Sequence, residues 1–206
     1  MPTEGLRERG KARRRAAITR AAFELFAERG YDSTTVAEVA AAAEVSPRTV
    51  TLYFRSKQDI ALSRFTESAD RLTEALRLRG PGESALDAMG GWLRAEFAQH
   101  DEIDLLAKRM LETNPELRAL QTARMEAAVQ EGVKAIALDT GRAVDDIGPR
   151  IAAAAAAAVI IELAECSHES ERSDTGSHDP EHSPEHDTEE NINTALAFLA
   201  AGLATL

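Results

Sequence analysis

Two helix-start signals stand eleven residues apart early in this chain: Thr35-x-x-Glu38 and Ser46-Pro47. The first is a capping box, in which a hydroxyl and a carboxylate satisfy backbone N–H groups that the first turn leaves open. The second places proline at the first helical position, where its missing N–H is no loss. Spacing this tight predicts two short helices, one to about Ala43 and the next to about Phe54, joined by a sharp turn. Ala40 is the small residue such a crossing requires, and Val39, Val45, Val50 and Tyr53 supply inward plugs. Pro47, Arg48, Thr49, Thr51 and Leu52 are left outward, short or polar enough to reach base edges and phosphates. A recognition helix in the major groove needs this division of faces.

The neighbouring pattern predicts more helix. Ile18, Ala22, Phe23 and Phe26 recur at helical spacing before the stop at Gly30, and Ser56-x-x-Asp59 opens a longer helix that Gly80-Pro81-Gly82 breaks. Further helices are expected over 83–99, 102–112, 115–138, 148–166 and 190–204. The prediction is an all-α chain of about nine helices: a flexible basic arm (1–15), a three-helix helix-turn-helix domain (16–60) and a larger helical domain (61–206). Residues 167–190 are so acidic and so poor in apolar side chains that they read as a disordered loop.

The net charge of −11 conceals an asymmetry. Residues 1–65 hold 12 Lys/Arg against 8 Asp/Glu, a net of +4, which leaves −15 for the remainder. Opposite signs suggest a DNA-facing part joined to a part with another task. The single cysteine, Cys166, fits a reducing compartment. No signal peptide is expected, and the apolar run at 151–161 is too short and alanine-rich to span a bilayer. A soluble cytoplasmic protein that binds no membrane follows.

The pattern Phe26-x-x-x-Gly30-Tyr31-x-x-Thr34-Thr35-Val36-x-x-Val39-Ala40-x-x-Ala43-x-Val45-Ser46-x-x-Thr49-x-x-x-Tyr53-Phe54-x-x-Lys57 closely resembles the TetR family of bacterial regulators over about residues 15–65. The resemblance implies DNA contacts from Thr35, Ser46, Pro47, Arg48, Thr49, Thr51, Tyr53 and Lys57. Thr35 and Ser46 would present helix-start amides to phosphate, Tyr53 and Lys57 would bind phosphate, and Arg48, Thr49 and Thr51 would face bases. Tyr53 reads equally well as a core plug, and Arg48 as a solvated charge. Arg13 and Arg14, in the basic run 7–15, would add a salt-dependent grip. One departure stands out: Glu44 occupies the turn, where the family usually has glycine.

The resemblance also implies a homodimer on a palindromic double-stranded operator and a small-molecule effector held in the second domain. Met89, Trp92, Phe97, Leu106, Met110 and Met125 are the candidates for the pocket, although a stripe at helical spacing is also what plain core looks like. Arg109 is open to two readings, an anion contact or a snorkelling surface residue. Ala152–Ala158 and the last helix suit a dimer interface or intrachain packing. Short motifs (Arg109-Met110-Leu111-Glu112 and Asp146-Ile147-Gly148-Pro149-Arg150 among them) resemble an actinobacterial-type subgroup described as sensing acyl-CoA-like or other lipophilic compounds. The alternative effector is a metal, through His178, His182 and His186 with Cys166 and His168, although Pro180 and Pro184 argue against a shared helical face. No nucleophile elbow, phosphate loop or dense metal motif is present, so no enzyme activity, cofactor or built metal site is expected.

Overall fold

The computed structural model describes residues 3–99, 102–173 and 184–206. Among these lie eleven helices and no strand: α1 (Thr3–Arg29), α2 (Val36–Ala42), α3 (Pro47–Tyr53), α4 (Lys57–Ala61), α5 (Ser63–Arg77), α6 (Ala85–Phe97), α7 (Glu102–Thr113), α8 (Pro115–Arg124), α9 (Glu126–Thr140), α10 (Ile147–Ser173) and α11 (Pro184–Leu203). They form two compact units, one from residues 1–67 with 100–124 and one from residues 68–99 with 125–206.

The first unit, the head, closes around Ile18, Ala22, Phe23 and Phe26 of α1, Val39 and Ala40 of α2, Val50 of α3 and Ile60 of α4. Its core also takes Ile103, Ala107 and Met110 from α7 and Leu117 from α8. The boundary expected at residue 60 is therefore incomplete, because a later stretch returns to cover the head. Two ion pairs fasten it: Arg64 donates twice to Asp104 at 2.7 Å, and Arg124 reaches Asp59 at 2.6 Å.

Several helices differ in extent from those expected, among them the one placed over 115–138, which divides at Met125 into α8 and α9. The basic residues expected as a flexible arm are helical from Thr3, in one run with the core helix. Arg15 ties this run to the head through Glu67 (2.9 Å), the Tyr53 carbonyl (3.3 Å) and the Phe54 ring (4.4 Å). The expected single helix from residue 56 to 78 instead breaks at Leu62. Ile60, Ala61, Leu62 and Ser63 are all buried, and four consecutive positions cannot share one face of a straight helix. The break lets each of them turn inward.

The second unit packs α10 against α9 and α11, with α6 contacting both α9 and α11. A capping box, Ser84 with Asp87, opens α6, and left-handed Gly141 closes α9. Arg79, paired with Asp139 at 2.8 Å, and the Ala85 N–H, 2.6 Å from the same carboxylate, hold the α5–α6 connection to α9. Where α6 meets α11, a Cβ on Gly90 would come within 2.9 Å of Leu196, so glycine permits the approach.

Parts of the expected acidic loop are helical: 167–173 continue α10 and 184–190 open α11. Glu169, Glu171 and Arg172 are good helix formers despite their polarity, and Pro184 sits where proline starts a helix instead of breaking one. Residues 174–183, with His178 and His182, lie outside the described residues, as do the side chains of Cys166, His168 and His186. By length and composition, Ile147–Ala164 of α10 is apolar enough to cross a membrane. Only 22% of that window is buried, on the side that packs against α9 and α11.

Candidate nucleic-acid interface and effector cavity

The turn between α2 and α3 is built by hydrogen bonds that end α2. The Val45 N–H donates to the Ala40 carbonyl at 2.9 Å and the Glu44 N–H to the Ala41 carbonyl at 3.1 Å. This paired arrangement requires a left-handed residue just past the helix, and Glu44 adopts it with φ 53. The sequence departure thus falls on the one position of the motif where a side chain is strained.

Both α2 and α3 carry the caps expected of them. The Thr35 hydroxyl accepts from the Glu38 N–H at 3.3 Å, while the Glu38 carboxylate accepts from the Thr35 N–H at 2.8 Å. Ser46 Oγ accepts from the Thr49 N–H at 3.1 Å and lies 2.8 Å from Thr49 Oγ1. The Thr35 backbone N–H bond, followed by the Thr35 hydroxyl and Arg29, holds the Glu38 carboxyl below its ordinary range. A depressed folded value stabilises the protein above the ordinary carboxylate range, and that stabilisation is lost as pH falls through the folded value. Glu38→Gln is therefore expected to narrow the gap between neutral and acid stability, as measured by urea unfolding across an acidic pH series. An unchanged pH dependence would show that the box contributes nothing.

On α3, Pro47, Arg48, Thr51 and Leu52 are exposed, Thr49 is half-buried and Val50 is buried. Ser46 and Thr35 are exposed at their helix starts, and Arg13 and Arg14 are exposed on α1. Thr51 Oγ1 donates back to the Arg48 carbonyl at 2.9 Å. Tyr53 is half-buried and packs on the head core, so the plug role open to it is occupied.

Lys57 is placed differently from its expected phosphate contact. Its Nζ donates to the carbonyls of Tyr31 (2.8 Å), Thr34 (3.0 Å) and Asp32 (3.2 Å), and lies 4.2 Å from the centre of the Tyr31 ring. An ammonium has three donors, and these carbonyls engage all three. Burial, then the charges of Asp32 and Glu116, raise the Tyr31 pKa above its ordinary value. Local sequence spacing gives no sign that a helix-start lysine closes a loop more than twenty residues earlier.

The second unit holds an apolar cavity of about 40 Å³. Its lining is almost wholly apolar: Leu72 and Leu76 from α5, Ala85, Leu86 and Met89 from α6, Met125 at the start of α9, then Ala128, Val129, Gly132 and Ile136, and finally Ala153, Ala156, Ala157 and Ile160 from α10. Of the six expected pocket residues, Met89 and Met125 line it. Leu106 and Met110 require correction, because they belong to the head core or pack against it. Trp92 and Phe97 are half-buried on α6 outside the lining, and the Trp92 indole N–H is buried without a hydrogen-bond partner. Arg109 is exposed. The alanines were missed as lining residues because a search for large adaptable side chains overlooks the small ones whose absence of bulk makes the space. The alanine run has two faces: Ala153, Ala156 and Ala157 point to the cavity, whereas Ala154 and Ala158 are exposed.

The pattern that defines bacterial regulatory proteins of the tetR family matches residues 18–63. The HTH-type transcriptional regulator TcmR of Streptomyces glaucescens is 34% identical over 151 residues, 69% of this chain and 67% of that protein. Among solved structures, the regulator FadR from Bacillus subtilis in complex with stearoyl-CoA superposes with a TM-score of 0.60 at 21% identity, covering 91% of this chain and 98% of that one. NalD, the secondary repressor of the MexAB-OprM multidrug efflux pump in Pseudomonas aeruginosa, gives a TM-score of 0.58 at 25% identity, covering 91% and 96%.

Proposed function

The chain belongs to the TetR family of bacterial regulatory proteins, and from that premise we propose that it is a cytoplasmic repressor, bound as a homodimer to a palindromic operator and released by a lipophilic effector. The apolar cavity carries the effector reading. A lining of aliphatic side chains rewards removal of apolar surface from water and offers nothing to a charged group. The part of the effector that enters is therefore hydrocarbon, either a small hydrophobic compound or the tail of an acyl-type molecule. At about 40 Å³ the space is far below the roughly 300–1,000 Å³ of typical ligand pockets, so binding has to open it.

That opening suggests the route of the signal. Leu72 and Leu76 form part of the cavity wall, and the first residues of the same helix, α5, belong to the head. An effector that binds this cavity better in one conformation than in another shifts the population away from the operator-competent state. For dimerisation, α10 and α11 expose Ile151 (60%), Ile161 (38%) and Phe198 (68%), large apolar side chains suited to an isologous interface with a second copy.

The test is fluorescence-polarisation binding to the upstream intergenic DNA across a salt series, with and without long-chain fatty acids and neutral lipophiles. Gly132→Ala sharpens it. A Cβ there would sit 3.7 Å from Ala153 and 3.9 Å from Leu76, ordinary contacts, in the interior of α9. The variant is expected to gain about 0.5–1 kcal/mol from helix propensity, seen as a higher melting temperature. It is also expected to need more effector for release, because the new methyl occupies the cavity. A stabilised variant with an unchanged effector response places the effector elsewhere.

A further inference from the structure

Leu52 stands 76% exposed in the middle of the face that α3 turns outward. Arg48 and Leu52 are one turn apart and share the side of the helix opposite buried Val50. The hydroxyls of the flanking Thr49 and Thr51 are engaged within their own turn, by Ser46 and by the Arg48 carbonyl. At the crest of the reading face stand a guanidinium and an isobutyl group. Leucine can accept nothing from a base and donate nothing to a phosphate. The apolar feature that the major groove presents is the C5-methyl of thymine, and an arginine pairs best there with guanine O6 and N7.

We infer that Leu52 is a specificity-determining residue, reading a thymine methyl beside a guanine read by Arg48, so that each operator half-site carries these two bases within about two base pairs of one another. The spacing follows from geometry: residues one helical turn apart are roughly 6 Å apart along the axis, against a base-pair step of about 3.4 Å. The inference rests on the DNA-reading role of the head, and names what the head reads.

The experiment begins with selection of duplexes from a random pool by the full-length protein. Each thymine of the enriched site is then replaced by deoxyuridine, which removes the methyl and keeps the pairing. Wild type is expected to lose roughly fourfold in affinity per half-site at one such position, the equivalent of one buried methyl group. Leu52→Ala is expected to lose a similar factor on the thymine duplex and to be indifferent to deoxyuridine. Its melting temperature should match wild type, because so exposed a side chain supports no core. The inference is overturned if wild type binds thymine and deoxyuridine duplexes equally, if Leu52→Ala keeps the methyl preference, or if the enriched site has no thymine near a guanine. Failure to enrich any sequence would instead bring down the DNA reading on which the inference stands.

Discussion

Lys57→Met is expected to lower the stability of the protein by about 2–4 kcal/mol while leaving the salt dependence of operator binding unchanged. The energetic expectation comes from the three carbonyls of Tyr31, Asp32 and Thr34, gathered under one ammonium. A hydrogen bond to a charged donor contributes about 1.5–3 kcal/mol, and removing the donor leaves partly buried acceptors without a partner. The loop they belong to is otherwise held by Thr34, whose buried hydroxyl donates to the Gly30 carbonyl at 2.9 Å, and by the Tyr31 ring against Phe26, with centroids 5.3 Å apart. Loosening this loop displaces the Thr35 cap of α2 that follows it, so affinity should fall along with stability. The salt series separates this from a phosphate contact. A lysine that neutralised a phosphate would contribute about 0.9 to the slope of log affinity against log salt, per contact. Urea unfolding and binding titrations on the same variant decide between the two. A shallower slope with intact stability would return Lys57 to the DNA interface.

Glu44→Gly is expected to act in the opposite direction. Glu44 holds φ 53 at the end of α2, where a Cβ costs on the order of 1 kcal/mol and glycine is free of that penalty. The substitution should therefore stabilise the protein by about 1 kcal/mol, with both turn hydrogen bonds retained. It should also tighten operator binding several-fold at low salt, since it removes a negative charge beside the recognition helix, and this gain should shrink as salt screens it. Glu44→Gln separates the two effects. It removes the charge but keeps a side chain in the strained position, so it is expected to gain affinity without gaining stability. If glycine destabilises the protein, the turn draws more from the glutamate side chain than its backbone conformation suggests.

The head was legible to the extent that its elements are specified by neighbours in sequence. Capping residues act within three positions of the N–H groups they satisfy, which is why Thr35 with Glu38 and Ser46 with Pro47 could be read directly and are found capping α2 and α3. The division of α3 into Val50 inward and Arg48, Thr51 and Leu52 outward follows from the same short-range periodicity. The break at Leu62 did not, because each half of the segment is a good helix. Leu62 leaves helical geometry (φ -96, ψ 6) within a run of four buried side chains, and that burial depends on partners distant in sequence.

What the sequence determined by itself is the all-α class and the helix-turn-helix with its outward face, set by interactions between residues a few positions apart; that Glu44 is left-handed, and so strained, came from the structure. Tertiary structure alone decided three things. It returned α7 and α8 to the head, so that Leu106 and Met110 serve that core instead of a pocket. It drew Lys57 under the loop that begins at Tyr31. It turned one face of the alanine run into the wall of a cavity. Each of these depends on which distant segment a side chain meets, and an apolar stripe or a lysine has the same local signature whichever partner the folded chain brings to it.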